Sequence, residues 1–259
     1  MDKFYSLDTH EDAESNLALA LDIGERMLMF GAEIGRVEDS LRRICTAFGA
    51  VRVDVFTITS SIVVTVTSPR FGIVTQTRRV PGGASDFHRL HLLNALSRAI
   101  CACPMSRTEI IAEIARIDQA PVYPLAAQLG IYALISAAFS LFFGGIWQDA
   151  VVAAFIGVVL RILQGGLRRV RTNPFLSSAL CSFVGGLLAS SSVALGLAYR
   201  SDLIAIGNIM LLIPGIALTN AIRDMFSGDL ISGLLRLTEA LLLAATVAFG
   251  FVLAARLFA

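Results

Sequence analysis

The feature that most restricts what this chain can fold into is a series of apolar runs, each about 20 residues long, that fills the sequence after residue 121. A helix of ~20 residues rising about 1.5 Å per residue spans the roughly 30 Å of bilayer hydrocarbon. Five segments qualify as spans: 122–143, 149–167, 175–199, 203–222 and 230–257. Short polar or glycine-rich joints separate them, such as Gly144-Gly-Ile-Trp-Gln and Arg168-Arg-Val-Arg-Thr-Asn-Pro. Charge follows the same division. Of the 41 Asp, Glu, Lys and Arg residues, 28 lie in 1–120. Overall charge is 16% of the chain, against about 25% in a soluble domain, which argues against an ordinary cytosolic enzyme. The expected fold is an α-helical membrane protein with five transmembrane helices, residues 121–259, behind an N-terminal α+β cytoplasmic domain, residues 1–120.

Sidedness follows from the arginines. Arg168, Arg169 and Arg171 crowd the joint between spans two and three, and Arg223 opens the joint between four and five. The joint between one and two has no Lys or Arg, and the one between three and four has only Arg200. The N-terminus is therefore expected in the cytoplasm and the C-terminus outside, in a multi-pass protein of the inner membrane. The first ten residues carry no apolar h-region, so no cleavable signal peptide is expected. A net charge of +1 excludes the strong basic excess of a nucleic-acid-binding chain. Cys101-x-Cys103 is too short for a zinc spacing and His10, His88 and His91 form no paired motif, so no metal or cofactor is expected and the thiols read as reduced and structural.

In the front domain, Leu17, Leu21, Met27 and Leu28 recur at helical spacing within a helix over 12–30, and a second helix covers 34–48 and stops at Gly49. The period then changes to two: Val51, Val53 and Val55, then Ile62, Val64 and Val66, mark strands. A turn at 68–72 leads to a third strand ending near Val80, and helices follow over 86–102 and from the capping box Ser106-x-x-Glu109 to Ile117.

Polar residues within the apolar runs need a reason, because an ionisable group at mid-membrane costs about 2.5–3.5 kcal/mol by insertion scales. Asp229, Ser232, Arg236 and Glu239 fall at i, i+3, i+7 and i+10, on one helix face. They read either as a stripe lining a cavity, with Glu239 binding a proton or a cation, or as an Arg236–Glu239 pair that locks helices or snorkels to the surface. In the fourth run Pro214 removes a backbone donor and bends the helix. Asn208, Gly215 and Thr219 share a face there, which suits either a transporter site on a broken helix or a plain packing kink. Serines and glycines of the third run, from Ser178 to Ser192, suit close helix packing. Arg161 reads as a snorkelling residue, with anion binding as the alternative. In the front domain, Glu33 pairs with Arg36 at i, i+3, while Glu38 and Asp39 pair with Arg42 and Arg43 at i, i+4. No phosphate-loop, dinucleotide, nucleophile-elbow or zinc-protease signature occurs.

Two stretches resemble the threonine/serine exporter (ThrE) family: Gly31-Ala-Glu-Ile-Gly-Arg-Val-Glu-Asp39 and its continuation to Gly49, and Ile213-Pro-Gly-Ile-Ala-Leu-Thr-Asn220 through Gly233, followed by Arg236 and Glu239. The resemblance covers nearly the whole chain. It implies a cytoplasmic domain joined to a proton-driven exporter of small hydroxylated amino acids, threonine and serine. Carried over by motif, the positions that matter are Glu33, Arg36, Glu38 and Asp39 in the first stretch. In the second they are Pro214, Gly215, Asn220, Arg223, Asp224, Gly228, Asp229, Arg236 and Glu239. Long members continue into a second hydrophobic half that is missing here. Split members resemble this chain and work with a separate, smaller membrane subunit, and some resemble exporters of dicarboxylates such as succinate. A second membrane subunit or a homo-oligomer is therefore expected. Asn208, Pro214, Gly215, Thr219, Asn220 and Arg236 are the expected substrate contacts, with Asp229 and Glu239 carrying the coupling proton. A membrane-anchored enzyme or signalling domain is the reading of another class. Against it, a simple anchor needs a single span.

Overall fold

Start and stop signals lay out the front of the molecule. The computed structural model describes residues 10–70, 72–83, 85–103, 105–170 and 172–258. The first nine residues, Phe71 of the expected turn and Arg171 of the expected cytoplasmic joint lie outside them. The chain divides into two compact units: the described residues of Met1–Pro121 together with Leu218–Leu237, and Val122–Ala217 together with Thr238–Ala259.

In the first unit, α1 (His10–Met29) and α2 (Ile34–Ala47) precede β1 (Arg52–Ile58), β2 (Ser61–Ser68) and β3 (Gly72–Arg79), followed by α3 (Phe87–Ala102) and α4 (Arg107–Asp118). The strands form an antiparallel meander in which Val66 faces Val53 on one side and Val74 on the other. Alternation works as the period-two pattern requires: Ile62, Val64 and Val66 are buried. They meet Leu17, Leu21 and Met27 of α1, Leu41 and Ile44 of α2, and Leu93, Ile110 and Ile117 of the last two helices. Ser106 and Glu109 form the expected capping box, with the Ser106 N–H donating to Glu109 Oε2 at 2.6 Å. Helix α2 stops at Gly49 through the two carbonyl-closing bonds of a Schellman turn, Gly49 N–H to Thr46 and Ala50 N–H to Cys45.

Two further helices contribute to this unit: α9 (Gly215–Phe226), from Leu218 onward, and α10 (Leu230–Arg256), up to Leu237. A Schellman turn at Gly228, φ +97°, joins them: Gly228 N–H bonds Met225 O and Asp229 N–H bonds Asp224 O.

The second unit holds α5 (Leu125–Phe142), α6 (Trp147–Arg169), α7 (Pro174–Ala194), α8 (Ser201–Ile209) and the remainder of α10. Among the described residues four helices are long and apolar enough to cross a membrane: α5, α6, α7 and α10. The segment expected as a further span, 203–222, is instead the short α8 and α9 with a turn over 210–214 between them, so four such helices are found and the count of five is not confirmed. Pro214 is the physical reason, since it has no N–H to donate and its ring crowds the preceding turn. Large apolar side chains point outward, as lipid solvation requires: Leu134, Phe142, Val151, Phe155 and Phe249 are all exposed. Small residues mark the contacts between helices. A Cβ on Gly157 would sit 2.7 Å from the Tyr132 carbonyl, and one on Gly186 would sit 2.7 Å from the Ala254 methyl, so glycine sets both approaches. The expected packing role of the third run is met by Gly186 and its neighbours against α10. Asp149, fully buried at the start of α6, accepts the N–H groups of Ile146, Tyr199 and Arg200 at 2.8–3.2 Å and ties the loop after α7 to α6.

Candidate functional site

The site is built where α1 ends. Gly31, at φ +93°, closes that helix by donating to Leu28 O, while the Ala32 N–H donates to Met27 O. This Schellman turn satisfies the helix carbonyls and leaves the carbonyls of Gly31 and Ala32 pointing away from it. The α9–α10 hairpin takes up both. Asn220 Nδ2 donates to Gly31 O at 3.3 Å, and Arg236 Nη2 donates to Ala32 O at 3.0 Å. Arg223 donates to the Glu33 carboxylate, which also lies 3.7 Å from Arg36.

At the centre sits Asp224, whose side chain is 2% exposed. Arg236 Nη1 approaches its Oδ2 at 3.1 Å, yet no aligned hydrogen bond reaches that oxygen. The pair is held by charge and proximity, with an acceptor lone pair still unused. The backbone N–H of Ile34, in the first turn of α2, donates to the same carboxylate. Helix α2 thus receives its N-terminal acceptor from Asp224, while Glu33, at the N-cap position, makes no side-chain cap. Asp229 leans on the same turn, its Oδ2 3.8 Å from where a Cβ on Gly35 would be. Three carboxylates therefore surround the positive end of α2, as the helix dipole favours. Burial pushes the Asp224 carboxyl above its ordinary value; Arg236 and the Ile34 N–H oppose this, while Asp229 and Glu33 reinforce it. Such a group takes up a proton more readily than a solvated carboxylate does.

The other expected residues fall in different places. Glu38 is structural: Oε1 accepts the Thr57 N–H at 3.0 Å and Oε2 pairs with Arg42 at 2.8 Å, fixing α2 to β1. Asp39 pairs with Arg43 at 2.9 Å on the surface. Gly228 supplies the hairpin turn. The stripe on α10 divides: Ser232 is buried and Arg236 engaged, but Glu239 is exposed and makes no described ion pair. The residues that cover the stripe, Ala32 and Asp224, reach Arg236 and not the following turn. Asn208, in the last turn of α8, is fully buried; its Nδ2 donates to Ile204 O and its Oδ1 accepts from Ser136 at 3.0 Å. Gly215 and Thr219 are exposed on α9, and the break interrupts the register that would have aligned them with Asn208. Sequence reasoning missed the two acceptor carbonyls of Gly31 and Ala32. The signal for them was the glycine that stops α1.

The family model described as "Putative threonine/serine exporter" matches residues 18–258. A "Probable succinate transporter subunit YjjP" of Klebsiella aerogenes is 26% identical over 231 residues, 88% of this chain and 88% of that protein. A "Probable threonine/serine exporter" of Mycobacterium tuberculosis is 25% identical over 93% of this chain but 46% of its own length. The "Threonine/serine exporter" of Corynebacterium glutamicum is 24% identical over 94% of this chain and 51% of its own. The chain thus spans about half the length of these two exporters. No solved structure matches. With the match running from α1 to the end of α10 and both signature segments meeting in one ionic cluster, the chain belongs to the threonine/serine exporter family of membrane transporters.

Proposed function

We propose that the chain is a secondary exporter component that moves threonine and serine out of the cell, driven by the proton gradient, with its N-terminal unit in the cytoplasm and its C-terminus outside. The observation that carries this reading is the convergence of the family's two signature segments, about 190 residues apart, on the cluster of Glu33, Asn220, Arg223, Asp224, Asp229 and Arg236. In this reading the cluster is a latch. The charge balance of the carboxylates around Arg236 sets how firmly it holds the α9–α10 hairpin. Asp229, inside the cluster, is the coupling carboxylate favoured over the exposed Glu239. Substrate binds at the helix break, around Asn208, Pro214 and Gly215, where Asn208 offers an amide. Its amino or hydroxyl group takes the place that Ser136 holds on Asn208. A membrane partner subunit, or further copies of this chain, completes the passage. The shorter relative, named as a transporter subunit, supports that assembly.

One specific observation favours a second cargo. The relative matched over 88% of both chains is named for succinate, so a dicarboxylate is the alternative solute. Efflux of labelled threonine from proteoliposomes, with an imposed proton gradient and competition by unlabelled serine or succinate, tests both. Serine competition with gradient dependence supports the amino-acid reading, and succinate competition alone supports the other. Asp229→Asn is expected to reduce gradient-driven efflux at least tenfold at normal expression. An equal loss in Glu239→Gln with Asp229→Asn fully active would move the coupling role to Glu239.

A further inference from the structure

Arg161 lies well inside α6, seven residues before the Arg168-Arg169 pair in its last turn, or about 10 Å along a helix axis. An arginine serving only the headgroups extends toward them. This one turns across to α5: Nε donates to Gln128 Oε1 at 2.8 Å, Nη2 donates to the same oxygen, and the Tyr132 ring centroid lies 5.8 Å from its Cζ. Each supporting group is itself fixed. Gln128 Nε2 donates to Tyr123 O at 2.6 Å, which sets the amide so that its oxygen faces Arg161, and the Tyr132 hydroxyl donates to Gln164 Oε1 at 2.9 Å.

None of these partners is charged. Among the described residues no carboxylate pairs with Arg161, and Asp149, about 18 Å away along the same helix, is committed to three backbone N–H groups. A permanent cation among apolar helices is thus balanced by a neutral amide and an aromatic ring, a costly arrangement without an anion. The guanidinium also keeps unused donors. Nη1 makes none of the described hydrogen bonds, and a Cβ on Gly165 would come within 3.2 Å of it, so glycine keeps that side clear. The adjoining Gly166 faces open space. The free Nη1–Nη2 edge is the one that receives a carboxylate through two parallel N–H bonds.

We propose that Arg161, held by Gln128 and Tyr132, is the receptor for a carboxylate group of the exported solute. The inference rests on the exporter reading and deepens it, since an amino acid and a dicarboxylate share this group. Gln128→Glu tests it most directly: a built-in carboxylate occupies the guanidinium, so the full-length protein keeps or gains thermal stability while solute binding falls at least tenfold. Thermal unfolding of the purified protein with threonine, succinate, threoninamide and succinamide provides the readout, because ligands of the folded state raise the midpoint. The acids are expected to stabilise the wild-type protein and the amides are not. Arg161→Lys is expected to weaken the response about tenfold and Arg161→Gln to abolish it. Undiminished acid binding in Gln128→Glu, or an effect of Arg161→Gln confined to stabilisation by phosphatidylglycerol, overturns the proposal and makes Arg161 a headgroup contact. If the wild-type protein neither binds nor exports threonine, serine or succinate, the exporter reading fails first. Export with an intact response in Gln128→Glu removes only the role of Arg161.

Discussion

Arg236 and Asp224 are 14% and 2% exposed, so removing the arginine strands the carboxylate where water cannot replace it, whereas Arg236 keeps its bond to Ala32 O if Asp224 is changed. Arg236→Ala is expected to destabilise the protein by roughly 3 kcal/mol, since it leaves a buried carboxylate unpaired. Asp224→Asn is expected to cost only about 1 kcal/mol, because an amide still accepts from Ile34 and removes the buried charge. Arg223→Ala, on an exposed arginine, is expected to cost about 0.5 kcal/mol. Chemical unfolding followed by circular dichroism ranks the three, and equal losses would contradict the burial argument. The sign of the pH effect is fixed by the raised carboxyl of Asp224. Its contribution to stability is full below the ordinary carboxylate range near ~3.9 and is lost as pH rises through the higher folded value. Asp224→Asn should therefore flatten the acid side of the stability profile.

Among the elements, those with local signals were legible. The capping box at Ser106, the stop at Gly49 and the alternation of Ile62, Val64 and Val66 each fix structure through neighbours in sequence, and each is found as read. The expected ion pairs along α2 are likewise present. The broken segment was half legible. Pro214 announced a bend, but hydropathy alone made one span of what are two short helices, because an apolar count is blind to a missing backbone donor. The site was least legible, since Asn220 on Gly31 and Arg236 on Ala32 join residues about 190–200 apart and no spacing rule reaches that far. Helix geometry yields a contrasting pair of glycines. Gly228→Ala is expected to cost about 1 kcal/mol from its left-handed φ alone, since nothing crowds the position. Gly215→Ala opens α9 without positive φ or crowding, and is expected to be neutral or stabilising by up to about 1 kcal/mol. Thermal midpoints of the two variants check this.

At the scale of the whole molecule, the four cysteines report sidedness. Cys101 and Cys103 are exposed, whereas Cys45 and Cys181 are buried, and burial pushes the Cys45 thiol up to about 12. Thiolate is the reactive form, so Cys45 is doubly protected. A membrane-impermeant maleimide is expected to label the protein in inside-out vesicles and not in intact cells, with Cys101→Ser/Cys103→Ser removing the signal. Labelling of intact cells would reverse the proposed topology.

The latch also limits how members of this family recombine. Its two halves, residues 31–36 and 220–236, are remote in the chain yet share one ionic network, so a crossover anywhere in the long interval between them inherits each half from a different parent. Viable chimeras must exchange both segments together, and natural drift at either one is expected to be answered at the other.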